Sequence, residues 1–340
     1  MIRVEGLTKE FVRPRRPPGR FAGLRTLVTR QVERTVAVDD VTFDIRTGEM
    51  VGYLGPNGAG KSTTIKMMTG ILVPTSGSVD VGGVVPWRDR QRNALQIGVV
   101  FGQRTQLWWD LPLRDSLDLV ATLYRMPPET YRRQYRRFVD LLDMAEFLDR
   151  PVRQLSLGQR MRGDLAAAML YQPRILYLDE PTIGLDVVAK ATMRDFIEEV
   201  NREHGTTVVL TTHDLADVER LCSRVILIDH GRVLYDGSVA ELKSRYAPHR
   251  TLVVRVAGDG GQAEPITAER VAALGAALVA DEGEEPEPDT VRLRFEGGRT
   301  AASDLIAALA AEFSVADVSI VEPDLEGVVR QIYSRRALPA

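Results

Sequence analysis

Apolar residues in this chain fall into short β-rich runs separated by stretches of helical period. Runs at 36–45, 51–54, 97–101, 175–178, 207–210 and 225–228 read as strands. Several are apolar without alternation, as strands buried on both faces of a parallel sheet are. Between them, 61–70, 115–124, 130–143, 156–171, 188–204 and 215–222 carry apolar residues at 3.6-residue spacing and read as helices. This alternation predicts an α/β fold. Two regions interrupt it: an Arg- and Pro-rich insert at 13–35, and a mostly helical stretch at about 115–170 that predicts a subdomain beside the sheet. After Lys243-Ser-Arg-Tyr-Ala-Pro248 the pattern starts afresh. A strand at 251–256, a helix at 267–274, a hairpin across 281–289, a helix at 301–313, a strand at 316–321 and a helix at 324–333 give the order βαββαβ of a small ferredoxin-like α+β unit. The expected division is 1–245 and 246–340, the second part serving dimerisation or regulation, with a ligand sensor or a folding appendage as alternatives.

The 340 residues suit two domains, and 44% hydrophobic with 27% charged residues is an ordinary globular composition that excludes collagen-like, disordered and disulfide-scaffold chains. No apolar run reaches the roughly 18 residues of a membrane span, and Met1 leads into Ile-Arg-Val-Glu rather than a signal segment, so a cytosolic location is expected. The single cysteine, Cys222, reads as a small buried apolar residue. Charge adds a second mark of the domain division. From Tyr246 onward there are 16 acids against nine arginines and no lysine, a balance of −7, which leaves +4 for the rest of a chain at −3. Neither value is that of a nucleic-acid binder. The local exception is residues 13–34, with seven arginines against Glu33 alone.

Chemistry enters at Gly55-Pro56-Asn57-Gly58-Ala59-Gly60-Lys61-Ser62, which follows a predicted strand and opens a predicted helix. Glycines at this spacing let backbone N–H groups converge on phosphate oxygens, and the helix N-terminus adds positive potential. Lys61 supplies a point charge to the β and γ phosphates, and Ser62, followed by Thr63, is placed to ligate Mg²⁺. A phosphate loop also requires an acid for the metal and a group to orient water. Ile175-Leu-Tyr-Leu-Asp179-Glu180 carries two consecutive carboxylates to the C-terminal end of a strand, Asp179 for the metal and Glu180 for the water as general base.

Between these motifs stands Leu155-Ser156-Leu157-Gly158-Gln159, followed at once by a long helix. On these residues, in this order, the chain from 1 to about 240 resembles the ATP-binding cassette (ABC) ATPases, whose signature is Leu-Ser-Gly-Gly-Gln; Leu157 stands where that signature has glycine. The resemblance implies ATP and Mg²⁺ as ligands, with Ser156, Gly158 and Gln159 reaching the nucleotide of an opposite subunit in a dimer. It further implies an adenine-stacking role for Phe11, unless that ring packs within the core. Gln103 is implied to join the metal to the membrane partner, with Gln106 as the alternative register because of the extra Gly102. Asp186 in Ile-Gly-Leu-Asp matches the loop at the dimer contact, and His213 in Thr-Thr-His-Asp matches the histidine that senses the γ-phosphate. The ATPase subunit of a membrane transporter, docked on the inner face of the membrane through permease subunits, is the function implied, ahead of a soluble ABC ATPase. Phe-Gly-Gln-Arg-Thr-Gln-Leu-Trp-Trp-Asp at 101–110 and the α/β tail resemble type-2 exporter ATPases of the drug and natural-product efflux kind rather than importers. Trp108 and Trp109 are expected under a permease helix or within the helical subdomain. Phe21, Leu24, Leu27, Val28, Gln31 and Val32 are expected to share one helical face in the insert, whose arginines would meet anionic headgroups or the permease.

Overall fold

The computed structural model describes residues 1–14, 32–102, 104–246, 249–256, 266–279, 290–296, 300–321 and 324–337. The chain divides into two units, Met1–Ser238 and Val239–Ala340.

The first unit holds two sheets. The antiparallel one comprises β1 (Ile2–Pro14), β2 (Val32–Ile45) and β4 (Ser76–Val81) in the order β2-β1-β4. The second contains β3 (Met50–Leu54), β5 (Ile97–Phe101), β6 (Ile175–Asp179), β7 (Thr207–Thr211), β8 (Arg224–Asp229) and β9 (Arg232–Ser238) in the order β5-β6-β7-β3-β8-β9. All its neighbours are parallel except β8 and β9. Val51, Tyr53, Ile175, Tyr177 and Val209 of this sheet join Ile2, Val4 and Val79 of the other in one buried core. Its helices are α1 (Lys61–Met68), α2 (Arg90–Gln96), α3 (Leu113–Leu123), α4 (Pro128–Leu141), α5 (Leu157–Met169), α6 (Val187–His204) and α7 (Leu215–Leu221). Helices α3 to α5 form the side element, anchored where Phe138 of α4 meets Phe196 of α6 edge-on at 5.2 Å.

The α/β expectation holds, but the pattern missed a sheet and several short elements. Strands β1, β4 and β9 and helix α2 carry too few periodic apolar positions to stand out; α2 buries only Asn93. The insert also differs. Arg13 pairs with Glu33 and Pro14 with Val32 across β1 and β2, so Val32 lies on a strand rather than on a helical face, and Arg34 faces Glu10 at 3.5 Å rather than being free for headgroups. Phe21, Leu24, Leu27, Val28 and Gln31 lie outside the described residues.

The second unit begins with α8 (Val239–Tyr246), ahead of the expected boundary after 245, because α8 packs on the last helix and buries Leu242. There follow β10 (His249–Val256), α9 (Ala268–Ala273), β11 (Ala276–Val279), β12 (Thr290–Glu296), α10 (Ala302–Glu312), β13 (Val315–Val321) and α11 (Leu325–Ala337). The sheet is antiparallel in the order β11-β12-β10-β13, the split βαβ arrangement of a ferredoxin-like unit. Leu252, Val254, Leu293 and Phe295 of the sheet bury against Leu305 and Leu309 of α10. The expected hairpin connection 281–289 lies outside the described residues.

Candidate functional site

The parallel sheet brings the C-terminal ends of β3, β6 and β7 to one edge, where open α/β sheets place their ligands. From β3 the chain enters the loop 55–60. Gly58 and Gly60 take φ of 84° and 105°, and a Cβ on Gly60 would lie 2.4 Å from the Ala37 carbonyl of β2. Lys61 opens α1 and folds back over the loop, its Nζ donating to the carbonyls of Gly55 at 2.5 Å and Pro56 at 3.2 Å. It is 6% exposed. Burial lowers the pKa of its ammonium, while the nearby carboxylates of Glu180 and Asp179 oppose that shift. Beneath the loop, the buried Tyr53 hydroxyl donates to Thr64 Oγ1 at 3.2 Å, and Thr64 Oγ1 donates to the Gly60 carbonyl at 3.1 Å.

Asp179 ends β6 between Phe101 of β5 and Thr211 of β7. Its Oδ1 accepts from Thr211 Oγ1 at 2.6 Å and from Ser62 Oγ at 3.5 Å. Glu180 follows with φ of 56°, an uncommon conformation for a residue other than glycine; its N–H donates to the Thr211 carbonyl at 2.9 Å. Glu180 Oε1 lies 2.8 Å from His213 Nε2, which the two residues after β7 deliver to the same place. Gly102 donates its N–H to the Asp179 carbonyl at 2.8 Å. Ser62, Gly102, Asp179, Glu180 and His213 line a cleft of about 560 Å³ that also includes Asn57, Phe101, Arg104 and Ile183.

Among the described residues no three His, Cys, Asp or Glu side chains cluster for a metal. The Ser62 hydroxyl and Asp179 carboxylate instead offer two hard oxygen donors beside a phosphate-binding loop. This donor set suits Mg²⁺, which binds through one or two carboxylates and takes its remaining ligands from water and substrate phosphates.

Ser156, Gly158, Gln159, Asp186, Phe11 and Gln106, also picked out from the sequence, are not among the residues that line this cleft. Ser156 caps α5 in a reciprocal box: its Oγ accepts from the Gln159 N–H at 3.2 Å, and Gln159 Oε1 accepts from the Ser156 N–H at 3.0 Å. Gln159 thus has its side-chain carbonyl engaged within its own chain. Gly158 stands against Ala189 of α6. Asp186 caps α6 by accepting the Ala189 N–H at 2.8 Å. Phe11 pairs with Thr35 on β2, and Lys9 Nζ sits 5.4 Å above its ring. Gln103 lies outside the described residues. Gln106, the alternative, is tied to α5: its Nε2 donates to the Asp164 carbonyl and its N–H to Asp164 Oδ1, both at 3.0 Å. Asp164 also accepts from Thr105 Oγ1 at 2.9 Å, and burial pushes its carboxyl up to about 6 against these donors.

Sequence reasoning gave no site role to Gly102 and Arg104, which line the cleft, or to Thr211, which bonds Asp179. Nor did it find the ion pairs that tie α6 to the segment after His213. Lys190 Nζ reaches Asp214 Oδ2 at 2.6 Å, and Arg194 Nε donates at 2.6 Å to Oδ1 of the fully buried Asp217.

The model of the ABC transporter family matches residues 38–183, a span that holds the phosphate loop and both carboxylates. The daunorubicin resistance ATP-binding protein DrrA3 of Streptomyces coeruleorubidus is 36% identical over 228 residues, 67% of this chain and 72% of that protein. The Nod factor export ATP-binding protein I of Ralstonia nicotianae is 33% identical over 296 residues, 84% of this chain and 90% of that protein. Among solved structures, the dimeric post-hydrolysis ATP-binding cassette MJ0796 bound to ADP and Pi matches with a TM-score of 0.59 and 26% identity, over 70% of this chain and 99% of that one. The likeness to both relatives extends over most of their length and accompanies a phosphate loop, two carboxylates and a histidine at one sheet edge, so the chain belongs to the ABC transporter ATP-binding family and is an ATPase of that family.

Proposed function

We propose that this chain powers an exporter as one of two ATPase subunits, each ATP lying between the phosphate loop of one copy and Ser156 with Gly158 of the other. The observation that carries this reading is that the cleft is incomplete within one chain. It contains Ser62, Asp179, Glu180 and His213 but none of residues 156–159. The capping box uses the N–H groups of Ser156 and Gln159 and leaves those of Leu157 and Gly158, at the head of a 13-residue helix, for an anion from outside. Val187 and Val188, 83% and 75% exposed beside Asp186, are apolar surface that a second copy would cover.

In this arrangement Lys61 holds the β and γ phosphates, Phe11 stacks on adenine, and Ser62 and Asp179, with Gln103, hold Mg²⁺, which when bound neutralises phosphate charge. Thr211 fixes the Asp179 carboxylate. Glu180 orients a water and takes its proton as the water oxygen bonds to the γ phosphorus and the bond to the leaving ADP oxygen breaks. His213, whose Nε2 lies 2.8 Å from Glu180 Oε1, would face the γ-phosphate. Export rather than import is supported by the likeness to the drug-resistance and Nod factor export proteins. No helix among the described residues is long and apolar enough to cross a membrane; it is the family likeness that supports a permease on a separate chain with this subunit on its cytoplasmic side.

Mixing tests the composite site. Lys61→Ala and Ser156→Ala should each lose turnover as the isolated full chain. Their mixture should recover part of it, because each mixed dimer keeps one site with both residues intact. A mixture no more active than either variant sinks the sandwich. Trp108 and Trp109 remain 37% and 49% exposed, with the Arg160 guanidinium 5.6 Å from the Trp109 ring, and they are the surface we assign to the permease. Replacing both with alanine should leave ATP affinity unchanged and abolish co-purification with the permease; co-purification at the wild-type level removes that contact.

A further inference from the structure

The head of α5 and the turn before α6 interlock within one chain. Gly184 holds φ of 72°, and a Cβ placed on it would lie 2.9 Å from Leu157 Cδ2, so the leucine occupies the hollow that this glycine leaves. Beside it, a Cβ on Gly158 would meet Ala189 at 3.3 Å and Leu185 at 3.9 Å. The turn is short and bonded to itself: Ile183 N–H donates to the Glu180 carbonyl at 3.5 Å and Leu185 N–H to the Thr182 carbonyl at 3.2 Å. It starts at Glu180 and ends at Asp186, the cap of α6. Four residues further on, Lys190 grips Asp214, next to His213. Displacing the head of α5 therefore pushes on a segment that carries Glu180 at one end and is ion-paired to the His213 segment at the other. Packed contacts of this kind shift as units rather than deform smoothly.

We propose that Leu157 is a positioning residue that ties the phosphate-facing head of α5 to the Glu180–Asp186 turn of its own chain. This rests on the dimeric reading above. There the head of α5 serves one ATP while Glu180 of the same chain serves the other, so the Leu157–Gly184 contact couples the two sites. Occupation of one site by ATP sets the carboxylate of the other, and the coupling is reciprocal.

The test measures ATP hydrolysis by the full chain against ATP concentration, with nucleotide affinity and dimerisation followed separately. Wild type should show a Hill coefficient approaching about 2, the number of coupled sites. Leu157→Ala should bring it to about 1 while ATP affinity and ATP-induced dimerisation of the Glu180→Gln background persist. Leu157→Met, which keeps the volume, should restore the wild-type coefficient. Gly184→Ala should lower turnover through its clash with Leu157, and combining it with Leu157→Ala should recover part of that loss. A wild-type coefficient in Leu157→Ala overturns the tie and leaves the dimer standing. A non-cooperative wild type whose Glu180→Gln form stays monomeric in ATP overturns the dimer, and the tie falls with it.

Discussion

Glu180→Gln is expected to bind ATP as tightly as wild type and to hydrolyse it some 10²- to 10⁴-fold more slowly, the range that a positioned general base contributes. The substitution keeps the shape of the side chain and an oxygen for His213 Nε2, which now stands 2.8 Å from Oε1, but it removes the anionic carboxylate whose basicity lets it take the proton of water. The backbone should hold, because the left-handed conformation of residue 180 is fixed by its N–H bond to the Thr211 carbonyl and by the close approach of Gly102, neither of which involves the side chain. The two readings of Glu180 therefore separate. If the carboxylate only anchored His213, glutamine would serve nearly as well and turnover would persist. Initial rates beside equilibrium nucleotide binding check this, and wild-type turnover in the variant removes Glu180 from the role of base.

Legibility from the sequence followed the kind of order each element has. The interior strands at 51–54, 175–178 and 207–210 are buried on both faces, and their largely apolar character marks them without any knowledge of neighbours. Strand β4, Ser-Gly-Ser-Val-Asp-Val, offers two apolar residues in six and is a strand because β1 lies beside it. Pairing partners of that sort are not visible locally. The same contrast runs through the site. Ser62, Asp179, Glu180 and His213 sit in motifs whose internal spacing is local, and the structure brings them to one cleft. Arg104 and Gly102 join them, and Thr211 reaches Asp179, only because β5, β6 and β7 are adjacent and in register, with Phe101 opposite Asp179 and Asp179 opposite Thr211. Leu157 reads in sequence as a departure from a glycine, and its partner Gly184 belongs to a different segment. Gln159 shows the opposite risk. Its position matches a nucleotide-binding motif, yet its carbonyl oxygen is already engaged by the Ser156 N–H.

The glycine that disturbs the register before Gln103 has a steric reason, and its replacement should be among the most damaging single changes in the cleft. A Cβ on Gly102 would stand 2.1 Å from the Glu180 carbonyl oxygen and 3.2 Å from that of Asp179, both backbone atoms that no side-chain rotation can move aside. Relief requires β5 and β6 to part at their ends by about 1 Å to reach an ordinary contact. The Gly102 N–H to Asp179 carbonyl bond, 2.8 Å long, would stretch with them. Glu180 cannot shift alone, since its N–H is held by Thr211 and its Oε1 lies beside His213. The displacement must therefore reach the carboxylate. Misplacing a reacting group by about 1 Å costs roughly 10²-fold in rate, and overpacking of this sort destabilises a fold by about 1–3 kcal/mol. Gly102→Ala should accordingly lose about 10²-fold in turnover while retaining ATP binding, since the phosphate loop on β3 is not touched by the new methyl. Gly83→Ala is the control for stability, because a Cβ there meets nothing within 4 Å and strain is confined to its φ of 82°. A Gly102→Ala chain that melts like the control and hydrolyses ATP at the wild-type rate would mean that the close approach of β5 to Glu180 plays no part in holding the carboxylate.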